Sequence, residues 1–231
     1  MYTKLANRKN YSVETRPKSS IKFIVLHFTA NNGDTARDNA EYFARVFVGA
    51  SAHFFVDENE ICCSVPWDKT AYHCGTAGKY KHSKCRNYNS LGIEMCSRKD
   101  ISGKYYFKTE TIVNSAKFTA QQMKNYNIPI ENVIRHYDVT GKKCPAPFVD
   151  DAAAWENFKK LVLKYYNGET EKEDIEVVYY EKLEEIPKGE KRDVISRLID
   201  RGVIKGNDKG LHLSDDMIRI LIFNDRMGLY K

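Results

Sequence analysis

His136 and Cys144 are separated by seven residues, Tyr137-Asp138-Val139-Thr140-Gly141-Lys142-Lys143, and Pro145 closes the segment. His27 stands far upstream, inside the apolar run Ile21-Lys22-Phe23-Ile24-Val25-Leu26-His27-Phe28. Together they offer two imidazoles and a thiolate. Three nitrogen and sulfur ligands with a fourth position open are what a hydrolytic zinc ion needs. Taken alone, a histidine on an apolar strand is more simply a core residue, so the ligand reading depends on all three. Glu94 is the next candidate, because it sits in a short apolar run where an unpaired carboxylate is costly. A carboxylate kept in such surroundings suits proton transfer.

These residues need a scaffold, and the hydrophobic pattern supplies one. Residues 21–28 read as a buried strand, short, apolar and without helical period. Asp34 or Thr35 follows a polar turn and can cap a helix whose apolar face is Ala40, Phe43, Ala44 and Phe47, with Gly49 as its end. Residues 52–56 and 61–65 flank Asp57-Glu58-Asn59-Glu60 and read as a hairpin, and residues 91–96 as a further strand. A helix is expected over 118–126, stopped by Pro129, and Val133-Ile134 lead into His136 as a strand end or loop. Trp155, Phe158, Leu161, Val162 and Tyr165 mark a last amphipathic helix. The fold class expected is α/β, a central mixed β-sheet flanked by helices, with a small mainly helical C-terminal domain.

The boundaries follow from composition. Residues 1–166 are expected to form the catalytic domain, 167–175 a linker that is polar and acidic without an apolar residue over 167–174, and 176–231 the second domain. In that second domain residues 176–180 read as a short strand, and Val194, Ile195, Leu198 and Ile199 as a helix ending at Gly202. Ser214, with Asp215 and Asp216, caps another helix carrying Ile218, Leu221 and Ile222. A domain this small is marginal alone, so pairing into a homodimer through it is expected.

The 231 residues, 42% hydrophobic and 29% charged, have the balance of a globular protein, and no apolar run is long enough to cross a bilayer. Met1 to Ser20 has no apolar core, so no signal peptide is expected there; synthesis and folding in a cytosol are expected, with any work outside needing another route. The six cysteines are accordingly expected to stay reduced, and the isolated His82-x-x-Cys85 makes no second metal site. Residues 1–166 hold 25 basic and 16 acidic side chains, and residues 167–231 hold 12 and 15. The basic portion suits an anionic polymer. Nucleic acid is not expected, since no basic helix or RNA-binding aromatic motif is present, which leaves an anionic cell wall.

Five separated motifs carry a resemblance. Leu26-His27-Phe28-Thr29-Ala30, Ser51-Ala52-His53-Phe54, Ala71-Tyr72-His73-Cys74-Gly75, Leu91-Gly92-Ile93-Glu94, and Arg135-His136-Tyr137-Asp138 with Lys142-x-Cys144-Pro145 occur in this order. The chain resembles the zinc-dependent N-acetylmuramoyl-L-alanine amidases shared by phage endolysins and peptidoglycan recognition proteins, over roughly residues 20–165. The resemblance implies Zn²⁺ on His27, His136 and Cys144, Glu94 as general base, and Lys142 as the cation beside the oxyanion, with Lys143 as its alternative. It implies substrate contacts from Thr29 and His73, and makes His53 a groove residue or one orienting water, with a hydrogen-bonded hairpin histidine as the equal alternative. Some relatives carry a catalytic Tyr where Ala52 stands, so proton transfer here falls on Glu94. The expected activity is hydrolysis of the amide between N-acetylmuramic acid and L-alanine of peptidoglycan; the alternative is a non-catalytic peptidoglycan-binding or regulatory protein on the same fold. Recognition proteins that bind without cutting lack the thiolate, which favours the enzyme. Residues 194–206 are similar to wall-targeting tails of clostridial lysins, so the C-terminal domain is expected to hold the enzyme on the wall or to oligomerise.

Overall fold

In the computed structural model the described residues are 1–76, 78–169, 179–208 and 210–230, with the side chain of Asp216 set aside. Six strands make the central sheet: β1 (Tyr2–Thr3), β2 (Phe23–Phe28), β3 (Phe54–Val56), β4 (Ile61–Cys63), β5 (Ser90–Met95) and β6 (Val133–Arg135). Their spatial order is β1-β4-β3-β5-β2-β6. Only β3 and β4 pair antiparallel, as the hairpin expected across Asp57–Glu60; every other pair is parallel. Both β2 and β5 are nearly continuous in apolar residues because the sheet is covered on both faces.

The sheet is flanked by α1 (Ala36–Arg45), α2 (Thr109–Tyr126) and α5 (Ala152–Tyr166), with two short helices, α3 (His136–Thr140) and α4 (Ala146–Asp150), between the last strand and α5. Strand alternation decides what each face carries. Ile24, Leu26, Leu91, Ile93, Phe54 and Val56 point to one face and pack with Ala116, Phe118, Met123, Phe158 and Val162 of α2 and α5. Val25, His27, Gly92, Glu94 and Phe55 therefore belong to the other face. The mixed sheet with flanking helices is the expected architecture.

Two helices differ from their expected extents. α1 starts where Thr35 caps it, in a reciprocal capping box with Asp38, but it stops at Arg45 rather than running to Gly49. Buried Asn10 is the cause: its Nδ2 donates to the carbonyls of Phe43 and Val46, and its Oδ1 accepts from the amides of Val48 and Gly49. Phe47 is consequently 59% exposed instead of lying on the buried face. α2 begins nine residues before the expected start, because its sheet-facing side there is Thr111, Ser115 and Thr119, which are buried but do not read as an apolar stripe.

The chain divides into two compact units, Met1–Thr170 and Glu171–Lys231. Residues 170–178, most of the expected linker and the first part of the expected strand at 176–180, lie outside the described residues. In the second unit β7 (Tyr179–Tyr180) pairs antiparallel with β8 (Leu213–Ser214), next to α6 (Glu190–Asp200) and α7 (Asp215–Arg226). Ile186, Val194, Ile195, Leu198, Ile218 and Ile222 form its own core, and Ser214 Oγ accepts the amide of Met217 to cap α7. No described helix is long and apolar enough to cross a membrane.

Candidate active site

β2 carries His27 one residue before its end, in register with Glu94 on β5. β6 lies on the other side of β2 with Arg135 opposite Leu26, so His136, the first residue of α3, emerges beside His27. The two imidazole centroids are 4.7 Å apart. The seven-residue spacer then folds back: α3 ends at Gly141, whose φ of 83° makes the left-handed cap, and the Tyr137 amide donates to the Cys144 carbonyl at 2.8 Å. Arg135 fixes the start of this loop through Asp138 (2.8 Å) and the Phe148 carbonyl (2.8 Å). Cys144 Sγ is thereby set 3.7 Å from His27 Nδ1, and one donor atom from each of His27, His136 and Cys144 falls within 4.8 Å of the others.

The surroundings are dry. Burial, reinforced by neighbouring imidazoles and by the positive charge of Lys142, holds His27 well below the ordinary histidine pKa. Burial, with Lys142 again, takes His136 down to about 4, and burial with Glu94 raises the Cys144 thiol to about 12. Neither ring nitrogen of His136 has a hydrogen-bond partner among the described residues. Buried polar atoms without partners are costly, and neutral imidazoles beside a thiol that loses its proton on binding are the donor set of a zinc site. The residues present therefore fit the ion.

Which nitrogen of His27 faces this cluster is decided several residues away. Ser90 Oγ donates its single proton to the Arg86 carbonyl at 2.6 Å, so at 3.1 Å it can only accept from His73 Nε2. His73 Nδ1 is then a lone pair and accepts from His27 Nε2 at 3.0 Å. His27 Nδ1 is left unprotonated on the side of Cys144. His73 reaches this position by lying flat on Gly92: a Cβ there would stand 2.7 Å from the imidazole Cγ. Sequence reasoning missed Ser90, Arg86 and Gly92 as parts of the site; the small residue two places before Glu94, on the same face of the strand, was the available signal.

Glu94 is half-buried, and its Oε2 is buried without a partner. Burial raises its carboxyl to about 8, against the pull of Lys142 and with a smaller push from Asp34. It opens onto a cleft of about 550 Å³ whose walls include Thr29, Asn31, Tyr42, Phe43 and Phe55. Thr29 is thus beside the candidate base, its hydroxyl donating to Asp34 and accepting from the Ser97 amide. Lys142 is exposed and meets no carboxylate among the described residues, whereas Lys143 is tied to Asp150 at 2.7 Å. Of the two lysines, Lys142 is the free cation whose charge is felt by His27, His136 and Glu94.

Two expectations need correction. His53 is 0% exposed: its Nδ1 accepts from the Gly92 amide, and its Nε2 lies 3.2 Å from the Lys69 carbonyl and 2.8 Å from Arg16 Nη2. It braces the sheet and lines no groove, because Arg16, itself buried, closes it off. His73 is buried behind His27 rather than exposed to a ligand. Ala52 is buried among Ala36, Ala40, Phe55 and Cys62 and offers no hydroxyl. All six cysteines are free thiols, Cys63 half-buried and the rest buried.

A family profile described as N-acetylmuramoyl-L-alanine amidase matches residues 17–147. Among curated relatives, the N-acetylmuramoyl-L-alanine amidase BlyA of Bacillus subtilis (strain 168) is 34% identical over 171 residues, 68% of this chain and 46% of that protein. The N-acetylmuramoyl-L-alanine amidase CwlL of Bacillus licheniformis is 35% identical over 159 residues, 64% of this chain and 43% of that protein. The chain thus spans less than half the length of these relatives. Among solved structures, the catalytic domain of XlyA superposes with a TM-score of 0.57 at 25% identity, covering 70% of this chain and 97% of that one. PlyL does so with a TM-score of 0.57 at 27% identity, covering 70% and 96%.

Proposed function

Since the chain belongs to the N-acetylmuramoyl-L-alanine amidase family, we propose that it is a zinc-dependent endolysin that hydrolyses the amide joining the lactyl group of N-acetylmuramic acid to L-alanine in peptidoglycan. The observation that carries this reading is the convergence of His27, His136 and Cys144 within 4.8 Å, one strand away from the half-buried Glu94, whose Oε2 is buried without a partner. A zinc ion held by these three residues would polarise the scissile carbonyl and lower the pKa of a water in its open position. Glu94 accepts the proton of the attacking water and returns it to the leaving amine; its raised pKa suits both transfers near neutral pH. The ammonium of Lys142 steadies the negative charge on the tetrahedral carbon's oxygen, in surroundings dry enough for that charge to matter. His73 keeps the His27 proton on Nε2, away from the ion. Thr29 and the cleft beside Glu94 receive the substrate.

The second unit supports a targeting or pairing role. Met217, Ile220 and Phe223 of α7, and Met227 just after its end, are all exposed, on the side opposite buried Ile218 and Ile222. Such a row serves a second copy of the chain or another surface, and a wall-bound tail raises the enzyme's effective concentration on its insoluble substrate.

Digestion of purified peptidoglycan with and without chelator, read by mass spectrometry, tests the activity. New L-alanine amino termini that disappear with chelator and return with Zn²⁺ are expected. Cleavage within the stem peptide or between sugars would falsify the assignment, and binding without release of amino groups would favour the non-catalytic alternative. Glu94→Ala is expected to keep zinc and lose turnover; near-native rates would move the base elsewhere.

A further inference from the structure

The face of the sheet away from the metal ligands carries a groove that the amidase reaction does not use. Phe54 and Phe55 are neighbours on β3 and point to opposite faces. Phe55 borders the cleft beside Glu94, whereas Phe54 is in the floor of a separate groove of about 650 Å³. One wall is a single helical face of α2, on which Phe118, Gln121, Gln122, Asn125 and Tyr126 recur at spacings of three and four. The opposite wall is Trp67, 41% exposed, its ring centroid 6.1 Å from that of Tyr126 and tilted by 56°.

We propose that this groove is a second, non-catalytic binding site for a glycan of N-acetylated hexosamines. Three features select that chemistry. First, Trp67 is a preformed platform: Arg16 Nε donates to its carbonyl at 2.8 Å, the Arg16 amide donates to the Asp68 carbonyl, and the Lys69 amide returns to Pro66. Second, Gln122 is only 6% exposed, lines the groove, and has no hydrogen-bond partner among the described residues. Its amide faces the groove with donors and an acceptor that no described protein group uses, so they are available to a polar ligand. Third, among the described lining residues Lys18 is the only cationic side chain, and it is already seated 5.4 Å over the Tyr126 ring.

A lipid chain would leave the Gln122 amide unmet, and a phosphate backbone would need more positive charge than Lys18 supplies. A pyranose ring meets both demands, with its apolar C–H face on the indole and its hydroxyl or acetamido groups on the amides of Gln122, Gln121 and Asn125. The volume lies in the range of small-ligand sites. The choice of a hexosamine glycan among polyhydroxyl ligands rests on the amidase reading; the character of the groove does not.

The test is titration of the full ¹⁵N-labelled chain with triacetylchitotriose. Movement of the Trp67 indole N–H and the Gln122 and Asn125 side-chain amides is expected, with a dissociation constant on the order of 1 mM. Trp67→Ala and Gln122→Leu should each weaken binding by about tenfold while melting temperature and circular dichroism confirm that both fold. No shifts up to about 10 mM, shifts confined to the Thr29 and Glu94 cleft, or unchanged affinity in both folded variants each overturn the proposal. Tighter binding of an alanyl-isoglutaminyl peptide to the same residues overturns it as well. The probe contains no lactyl amide, so its binding is read without turnover, and either reading can fail while the other stands.

Discussion

Replacing His73 with leucine removes the acceptor that holds the His27 proton on Nε2, 3.0 Å away, without touching any of the three proposed zinc ligands. The lost hydrogen bond is worth about 1 kcal/mol, and the buried Nε2–H it strands costs roughly another 1 kcal/mol or more. The metal-free variant avoids that cost by moving the proton to Nδ1, where it faces Cys144, and must reverse the move to bind metal. The zinc-bound form therefore bears a penalty of about 1.5–2.5 kcal/mol, or roughly 10- to 70-fold in dissociation constant, as is typical of partners that orient a ligating histidine. Competition with a chromophoric chelator gives the constant, and thermal melts of the apo-protein separate it from loss of fold. His73→Asn supplies a side-chain oxygen close to where Nδ1 was and should recover most of the affinity. A folded His73→Leu protein binding zinc within about twofold of the unmodified chain would refute the relay, and so would an asparagine variant as weak as the leucine one.

Other expectations follow from the same contacts. Gly92→Ala places a methyl 2.7 Å from the His73 ring and should destabilise by about 1–3 kcal/mol in chemical denaturation; in a His73→Ala background the penalty should largely vanish, and its persistence would mean the strand itself is the cause. Burial alone would raise the Glu58 carboxyl, but the hydrogen bond from Lys108 and the charge of Arg98 hold it down at about 2, below its usual 4.5. Its stabilisation is complete above pH 4.5 and is lost as pH falls toward 2. Glu58→Gln should therefore remove on the order of 3 kcal/mol from the acid dependence of unfolding, and identical acid profiles would contradict this. Lys142→Ala should lower kcat by about 100-fold or more, with zinc bound as tightly or slightly more tightly because a repelling charge is gone. An unchanged kcat would assign the oxyanion elsewhere.

The three candidate ligands were legible as a set, because few residue types bind zinc and two imidazoles with a thiolate complete one another, although His27 alone would read as a core residue. The strands at 21–28 and 91–96 and the hairpin around Asp57–Glu60 were legible for a simpler reason, since their apolar runs are local. The placements of His53 and His73 were not. Whether a histidine lines a groove or braces a core depends on what covers it, and the covers come from afar: Arg16 lies 37 positions before His53, and the serine that sets His73 lies 17 positions after it. The early end of α1 has the same origin, because Asn10 reaches its last carbonyls from 33 and 36 positions away. Residue pattern reports the face an element buries; it is silent on a polar side chain that folding delivers to that element's end.

The pairing of β2 with β5 has a consequence for how such a protein loses activity. Gly92 and Glu94 are two positions apart on one strand, and both depend on His27 lying opposite Glu94. A slip of one residue would turn both to the opposite side and present Leu91 and Ile93 in their place. The seat for His73 and the proton acceptor would vanish together, leaving no half-competent arrangement. Partial damage should then appear as fewer working molecules, each at full speed, and not as a population of uniformly slower ones. Measured turnover per litre becomes a count of correctly threaded chains.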